Sequence, residues 1–141
     1  MTRLHFQHIQ GKSLDIINTI LHDQELALVD EVLYLKVRLV LDELVTNIVN
    51  YAYPDGGNDY LDVELMADGG LFTLRFRDGG IPFNPLERER PDVTLPLSQR
   101  SIGGLGIFLV IHKAHAIDYE YTGGENVLTV TLSSNKKIVT L

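Results

Sequence analysis

The stretch VRLVLDELVTNIVNYAY, residues 37–53, predicts a helix at the centre of the fold. Its apolar residues would cover most of the circumference of an α-helix, which is typical of a helix that is buried on nearly every side. Pro54 follows directly, and proline cannot continue a helix. We therefore expect a central helix from about Asp30 to Tyr53, and we expect the other elements of a single hydrophobic core to pack against it.

Two polar residues lie within this apolar helix. Glu43 and Asn47 are one turn apart and share a face with apolar neighbours. A buried carboxylate without a partner is unfavourable, so a compensating group is expected. The spacing leaves two interpretations open. Either this face is solvated or hydrogen-bonded to a sheet, or the Asn47 amide oxygen binds a hard cation while Glu43 holds or deprotonates a nucleophile.

The remaining patterns predict strands joined in hairpins, with glycine pairs at the turns 69–70 and 123–124. The predicted elements are an edge strand at 4–9, helices at 13–28 and 105–115, and strands at 60–67, 71–78, 117–122 and 126–132. This grouping favours an α+β fold. We expect a two-layer α/β sandwich, in which a mixed, mostly antiparallel sheet is covered by helices on one face.

A single domain is expected for residues 1–141. The length suits one substantial core, and no linker rich in glycine, serine or proline divides the chain. Residues 79–102 form a long connection with four prolines and no clear period. Because long loops in small domains are commonly functional, we expect a lid at about residues 81–102.

Composition argues against several classes of function. The net charge is −7 and no cluster of lysine and arginine occurs, so the attraction that dominates nucleic-acid binding is missing. The chain has no cysteine, which excludes a disulfide framework and a thiolate zinc site. Its apolar runs are shorter than the roughly 20 residues that cross a bilayer. We expect a cytoplasmic protein that binds neither nucleic acid nor membrane.

A second polar signal ends the strand LFTLRFRD. Alternation places Asp78 on the core-facing side, and Gly79 and Gly80 follow it. The sequence Asp-Gly-Gly is either an ordinary turn or a buried carboxylate beside a glycine that lets a flat ring approach the backbone. In the second case Asp78 would accept a hydrogen bond from an exocyclic amine, such as that of adenine.

The third signal is GGLGIFLV, residues 103–110, where three glycines precede an apolar helix. They form either a hinge or a cluster of backbone N–H groups at a helix N-terminus, which suits a phosphate. In chain order, the three signals supply a candidate magnesium ligand, a candidate adenine acceptor and a candidate phosphate cradle. Their joint occurrence favours a site for a magnesium nucleotide.

These segments resemble the nucleotide-binding boxes of the GHKL ATPase superfamily. The flanks DELVTNIVNYAYP, DGGIPFNP and GGLGIFLV are most similar to those of bacterial anti-sigma factor serine/threonine kinases. The resemblance covers nearly the whole chain and implies a histidine-kinase-like ATPase fold with ATP and Mg²⁺ as cofactors. It rests on three motifs: Glu43-x-x-x-Asn47, Asp78-x-Gly80 and Gly104-x-Gly106.

The resemblance also implies roles for single residues. Asn47 would coordinate a magnesium ion that bridges the phosphates, and Glu43 would act as a base or orient the attacking group. Asp78 would accept from the adenine amine, with Gly80 beside the ring. Backbone N–H groups would contact the phosphates, and Arg100 would either reach the terminal phosphate or stay solvated. The backbone positions assigned to the phosphates are Gly103, Gly104, Leu105 and Gly106.

Two positions depart from the family pattern. Tyr51 follows Asn47 by four residues, where histidine is frequent, and the role of its side chain is open. Asn126 stands in the final hairpin where the superfamily has threonine, and it would keep a water-mediated contact to adenine.

The function implied by the resemblance is that of an ATP-dependent kinase that holds a sigma factor inactive. It would release the sigma factor on engaging a STAS-domain anti-anti-sigma protein, which it would phosphorylate on serine or threonine. Relatives commonly dimerise, so a homodimer is a further expectation. The alternative is a non-catalytic module in which ATP orders the lid and sets the affinity for a partner protein.

Overall fold

The computed structural model describes residues 1–87 and 104–134 of the chain. This part contains five strands and three α-helices. Two short 3-10 turns, Gln24–Leu26 and Pro85–Glu87, lie between them. In chain order the elements are β1 (Thr2–Gln7), α1 (Ser13–Leu21), α2 (Glu31–Tyr51), β2 (Tyr60–Asp68), β3 (Leu71–Asp78), α3 (Gly104–Lys113), β4 (Ala116–Thr122) and β5 (Glu125–Ser133).

The strands form one sheet in the order β1-β2-β3-β5-β4. Each neighbouring pair is antiparallel, so the expected α+β fold is confirmed and the described strands include no parallel pair. The two predicted hairpins are present, and their turn glycines have the positive φ angles that such two-residue turns require. β3 and β5 are neighbours although α3 and β4 separate them in the chain.

All three helices share the core with one face of the sheet. Phe72, Leu74 and Phe76 alternate inward along β3 and are fully buried with the apolar side of α2. The opposite face is charged. Arg3, Glu64 and Arg75 lie in register across β1, β2 and β3, with Glu64 carboxylate oxygens 3.7 Å from Arg3 Nε and 3.6 Å from Arg75 Nη1. The two-layer arrangement follows from this contrast between the faces.

The helices are shorter than the sequence predicts. The Asp30 side chain accepts a hydrogen bond from Leu33 N at 2.8 Å and thus caps α2, which ends at Tyr51. The helix predicted over residues 13–28 ends at Leu21. The reason is that Asp23 caps a separate 3-10 turn, and Leu28 is left 95% exposed. Among residues 1–87 and 104–134, no helix combines the length and hydropathy that a membrane crossing requires.

One hydroxyl joins the end of α2 to the site edge of the sheet. Tyr53 Oη donates to Tyr60 O at 2.6 Å and accepts from Tyr60 N at 3.2 Å and Gly79 N at 2.8 Å. These bonds tie the loop after α2 to the first residue of β2 and to the residue after β3. The Tyr53 hydroxyl therefore sets the spacing between α2 and the strand ends.

We expect Tyr53→Phe to lower the free energy of unfolding by about 1–3 kcal/mol, because two backbone N–H groups lose their acceptor. Urea denaturation measures the change. Tyr121→Phe is the control, since Tyr121 is 46% exposed at the sheet edge and should alter stability by less than about 0.5 kcal/mol. Equal effects of the two substitutions would contradict the structural role of the Tyr53 hydroxyl.

Candidate functional site

A cavity of about 240 Å³ lies between α2 and the sheet, at the edge where β3 ends and β5 begins. Its lining is mainly apolar. The polar side chains in it are Asn47, Tyr51, Asp78, Tyr119 and Asn126. Such a cleft, apolar with a few placed polar groups, is typical of a small-molecule site. The apolar wall consists mainly of Leu44, Ile48, Phe76, Ile81, Phe83 and Leu128.

Asp78 is the buried charge of this cavity, at 4% exposure. Its Oδ1 accepts from Gly80 N at 2.9 Å and from Asn126 Nδ2 at 3.0 Å. Both bonds end on Oδ1, so the described residues leave Oδ2 as the acceptor for a ligand. Burial raises the pKa of Asp78, although the bonds from Asn126 and Gly80 favour the charged form. A carboxylate in an apolar cleft can accept from the exocyclic amine of a flat heterocycle.

Gly80 is required by packing. A Cβ at this position would lie 2.2 Å from Ala52 O and 2.7 Å from Ala52 C, which are backbone atoms at the end of α2. Ile81 N donates to the same Ala52 oxygen at 2.9 Å. The close approach of two backbones therefore accounts for glycine at position 80 without a ligand, and it brings the chain after β3 against α2.

Asn47 lines the same cavity one turn after Glu43. Its Nδ2 is buried, and the described protein groups offer it no hydrogen-bond partner. Buried polar atoms in folded proteins are nearly always satisfied, and one left unpaired is unfavourable. A polar ligand in the cavity would satisfy the Asn47 amide.

Glu43 and Gly106 are in direct contact, which joins the first sequence motif to the third. A Cβ on Gly106 would lie 1.7 Å from Glu43 Oε2 and 2.1 Å from Glu43 Cδ, so a side chain at position 106 would displace the Glu43 carboxyl group. The first turn of α3 thus packs on the Glu43 carboxyl group. Burial raises the pKa of Glu43, and repulsion from Asp42 raises it further.

These residues fit a nucleotide bound together with a hard cation. The described residues contain no group of three or more histidine and acidic side chains that could hold a metal ion by themselves. A cation here would therefore depend on phosphate oxygens as well as on Asn47, which is how Mg²⁺ is usually bound at nucleotide sites. The unpartnered Asn47 Nδ2 is a donor and suits a phosphate oxygen, as does the α3 N-terminus beside Glu43, while Asn47 Oδ1 is the atom that could bind the cation.

The structure brings most of the sequence-predicted site residues to one region. Asn47, Asp78 and Asn126 line the cavity, Gly80 packs beside it, and Gly106 contacts Glu43. Gly104 and Leu105 begin α3. Two predictions, Arg100 and Gly103, lie outside the described residues, as does the predicted lid beyond residue 87.

Most of the side chains that line the cavity were not predicted as site residues, among them Ile81, Phe83 and Tyr119. Tyr119 belongs to an alternating strand, where sequence indicates only ordinary packing. Ile81 and Phe83 begin the predicted lid. Their spacing of two, immediately after Asp78-Gly-Gly, was the available signal, since alternate residues of an extended chain can face one cavity.

Among known proteins, this chain matches a protein family and a bacterial relative. The family described as the histidine kinase-like ATPase domain matches residues 14–132. The serine/threonine-protein kinase BtrW of Bordetella bronchiseptica is 30% identical over 96 residues, which are 68% of this chain and 68% of that protein.

Two solved structures share the fold at low sequence identity. The histidine kinase domain of the Erythrobacter litoralis EL346 blue-light activated histidine kinase has a TM-score of 0.52 and 12% identity, over 84% of this chain. The Acinetobacter baumannii histidine kinase AdeS has a TM-score of 0.50 and 16% identity, over 96% of this chain. The matched parts are 56% and 69% of those two chains, so this chain spans little more than half of the first.

We expect Asp78→Asn to stabilise the protein at pH 7 while weakening ligand binding. The folded protein holds the Asp78 proton more tightly than the unfolded chain, so ionisation of Asp78 lowers the free energy of unfolding as pH rises through its raised pKa. Asparagine avoids this loss but places an N–H donor where Oδ2 accepts. A gain of about 1 kcal/mol would raise the Tm by roughly 2–5 °C.

Thermal denaturation between pH 4 and pH 7 tests this expectation, and the gain should shrink towards pH 4. Asp118→Asn on the exposed side of β4 is the control, and it should leave the Tm almost unchanged. A lower Tm for Asp78→Asn at pH 7 would show that the carboxylate charge stabilises the fold.

Proposed function

Since the chain belongs to the family of histidine kinase-like ATPase domains, we propose that it is an ATP-dependent protein serine/threonine kinase. The name of BtrW, a serine/threonine-protein kinase, supports this choice within the family. The observation that carries it is the convergence of three distant segments. Asn47 on α2 and Asp78 at the end of β3 line one cavity, and one helical turn before Asn47 the Glu43 carboxyl group contacts Gly106 of α3.

Recognition of the nucleotide would begin with the base. A flat heterocycle fits between the apolar side chains of α2 and the sheet, with its exocyclic amine directed to Asp78 Oδ2. The phosphates would then extend towards Asn47 and the N-terminus of α3, where backbone N–H groups favour negative charge. Magnesium held by Asn47 and the phosphates would neutralise charge during transfer.

Glu43 is the candidate general base. Its raised pKa means that it holds a proton more readily than an ordinary glutamate, which suits a group that must accept one from a serine or threonine hydroxyl. Its contact with Gly106 fixes the carboxyl group beside the first turn of α3. Glu43 would orient the hydroxyl and take its proton as the terminal phosphoryl group is transferred.

The regulatory role that we propose is that of an anti-sigma factor. The chain would hold a sigma factor inactive and release it on binding a STAS-domain antagonist, the protein that it phosphorylates. The similarity of its motifs to those of anti-sigma factor kinases supports this role. The alternative is a non-catalytic module whose affinity for a partner depends on bound nucleotide. This alternative requires the same cavity but no proton acceptor at Glu43.

We expect the purified protein to transfer phosphate from radiolabelled ATP to a STAS-domain protein of the same organism. Glu43→Gln should lower the transfer rate by about 10²–10⁴-fold, because general-base catalysis is lost. Nucleotide affinity, measured by calorimetry, should change by less than about 3-fold. Glu31→Gln is the matched control, since Glu31 lies on the same helix at its exposed first turn.

The same assay separates the two hypotheses. Tight ATP binding without transfer to any STAS-domain protein of the organism would favour the non-catalytic module. Transfer by Glu43→Gln at the wild-type rate would refute the base role. Absence of any binding of ATP or ADP would remove both proposals and leave the family assignment.

We also expect the rate of transfer to fall at acidic pH. The base must be ionised to act, so kcat/KM should decrease as pH drops through the raised pKa of Glu43, above the ordinary glutamate value. Asp42→Asn removes a nearby negative charge and lowers the Glu43 pKa, which should move this acidic limb to lower pH. If Asp42→Asn leaves the acidic limb of the kcat/KM profile at the same pH as in the wild-type protein, a group other than Glu43 titrates there.

A further inference from the structure

Asn126 occupies a central place at the site edge of the sheet. It is 6% exposed and lies directly opposite Asp78 in the pairing of β3 with β5. Its Nδ2 donates to Asp78 Oδ1 at 3.0 Å and to Ile81 O at 2.8 Å. Its Oδ1 accepts from Phe83 N at 3.0 Å and from Tyr119 Oη at 2.5 Å. A side-chain amide has two donor hydrogens and two lone pairs, so protein groups use all four.

The chain that leaves β3 is held at each backbone N–H from residue 79 to residue 83. Gly79 N donates to Tyr53 Oη, and Gly80 N donates to Asp78 Oδ1. Ile81 N donates to Ala52 O, and Phe83 N donates to Asn126 Oδ1. Pro82, between them, has no N–H. Asn126 supplies the last of these acceptors and also binds Ile81 O. It thereby holds the segment that carries the cavity-lining side chains of Ile81 and Phe83.

We propose that Asn126 is a positioning residue for base recognition, acting through Asp78 and through the 81–83 segment rather than by touching the ligand. The inference rests on the proposed function, because it assumes that Asp78 accepts from the amine of a nucleotide base. The bond from Asn126 Nδ2, together with that from Gly80 N, fixes Asp78 Oδ1 and so sets the direction of Oδ2.

This role differs from the one that the family resemblance implies. A threonine at position 126 has one hydroxyl hydrogen to donate and could not hold both Asp78 and Ile81. A water-mediated contact between Asn126 and adenine would need a donor or acceptor that the amide no longer has. In this chain, selectivity for the base amine therefore depends on the orientation of Asp78, and that orientation depends on Asn126.

The test compares two nucleotides that differ only in the amine. Calorimetry measures the affinity of the full chain for ADP and for purine riboside 5′-diphosphate, which lacks the exocyclic amine. The wild-type protein should prefer ADP by about 10- to 100-fold, as a hydrogen bond to a charged acceptor allows. Asn126→Ala should reduce this preference to less than about 3-fold, because Asp78 is no longer oriented.

The ratio of affinities distinguishes positioning from general support of the fold. If Asn126 had a purely structural role, Asn126→Ala would weaken the binding of both nucleotides equally and leave the preference for ADP intact. That result would overturn the inference. Thr131→Ala, on the opposite side of the same strand, is the control and should keep the wild-type ratio. If the wild-type protein binds neither diphosphate, the proposed function fails, whereas an intact preference in Asn126→Ala refutes only the role of Asn126.

Asn126→Thr provides the same comparison if Asn126→Ala does not fold, since threonine suits a strand. The preference of Asn126→Thr for ADP over purine riboside 5′-diphosphate should be at least about 3-fold smaller than that of the wild-type protein, because one donor hydrogen replaces two. Retention of the full wild-type preference by Asn126→Thr would overturn the inference as well.

A second measurement tests the hold on the 81–83 segment. The chain contains no tryptophan, so Phe83→Trp introduces a single tryptophan at the cavity wall, whose emission can be excited selectively over that of the tyrosines. Adding Asn126→Ala should shift its emission to longer wavelength as the segment loses two hydrogen bonds and becomes more hydrated. An unchanged emission spectrum would show that Asn126 does not hold this segment.

Discussion

The pairing of β3 with β5 is the interaction on which the site depends. It brings Asp78 and Asn126 face to face although they are 48 positions apart in the chain. With Asp78 fixed there, the chain after β3 is held against the end of α2 through Gly80 and Ala52. The apolar cavity forms between this segment, α2 and the sheet. A different strand order would separate the acceptor from the wall that encloses its ligand.

Several groups that are unfavourable for the folded state lie at the cavity or within one helical turn of it. Asp78 is a buried carboxylate, Glu43 has a raised pKa, and the Asn47 amide nitrogen is buried without a protein partner among the described residues. The core itself is apolar and closely packed. Proteins commonly retain such local costs where a site must bind or react, because optimal packing there would remove the function.

Local patterns predicted most of the elements, and they failed where a side chain overrode them. The hairpins and α2 follow from turn glycines, alternation and apolar spacing, which act over a few residues. The first predicted helix was too long because Asp23 caps a separate turn, a competition that periodicity does not reveal. The family assignment was also predictable, since the three motifs occur in chain order with family-specific flanks, and the family match over residues 14–132 confirms it.

From the sequence alone come the fold class, the family and the residue types that could bind a magnesium nucleotide, because these depend on periodicity and on motif spacing. The tertiary structure decided what each residue contacts. Gly80 lies against Ala52, Gly106 against Glu43, and the Asn126 amide bridges Asp78 and the 81–83 segment. None of these contacts follows from local propensity. They arise when β3 and β5 pair and α3 packs on α2, which are encounters between segments far apart in the chain.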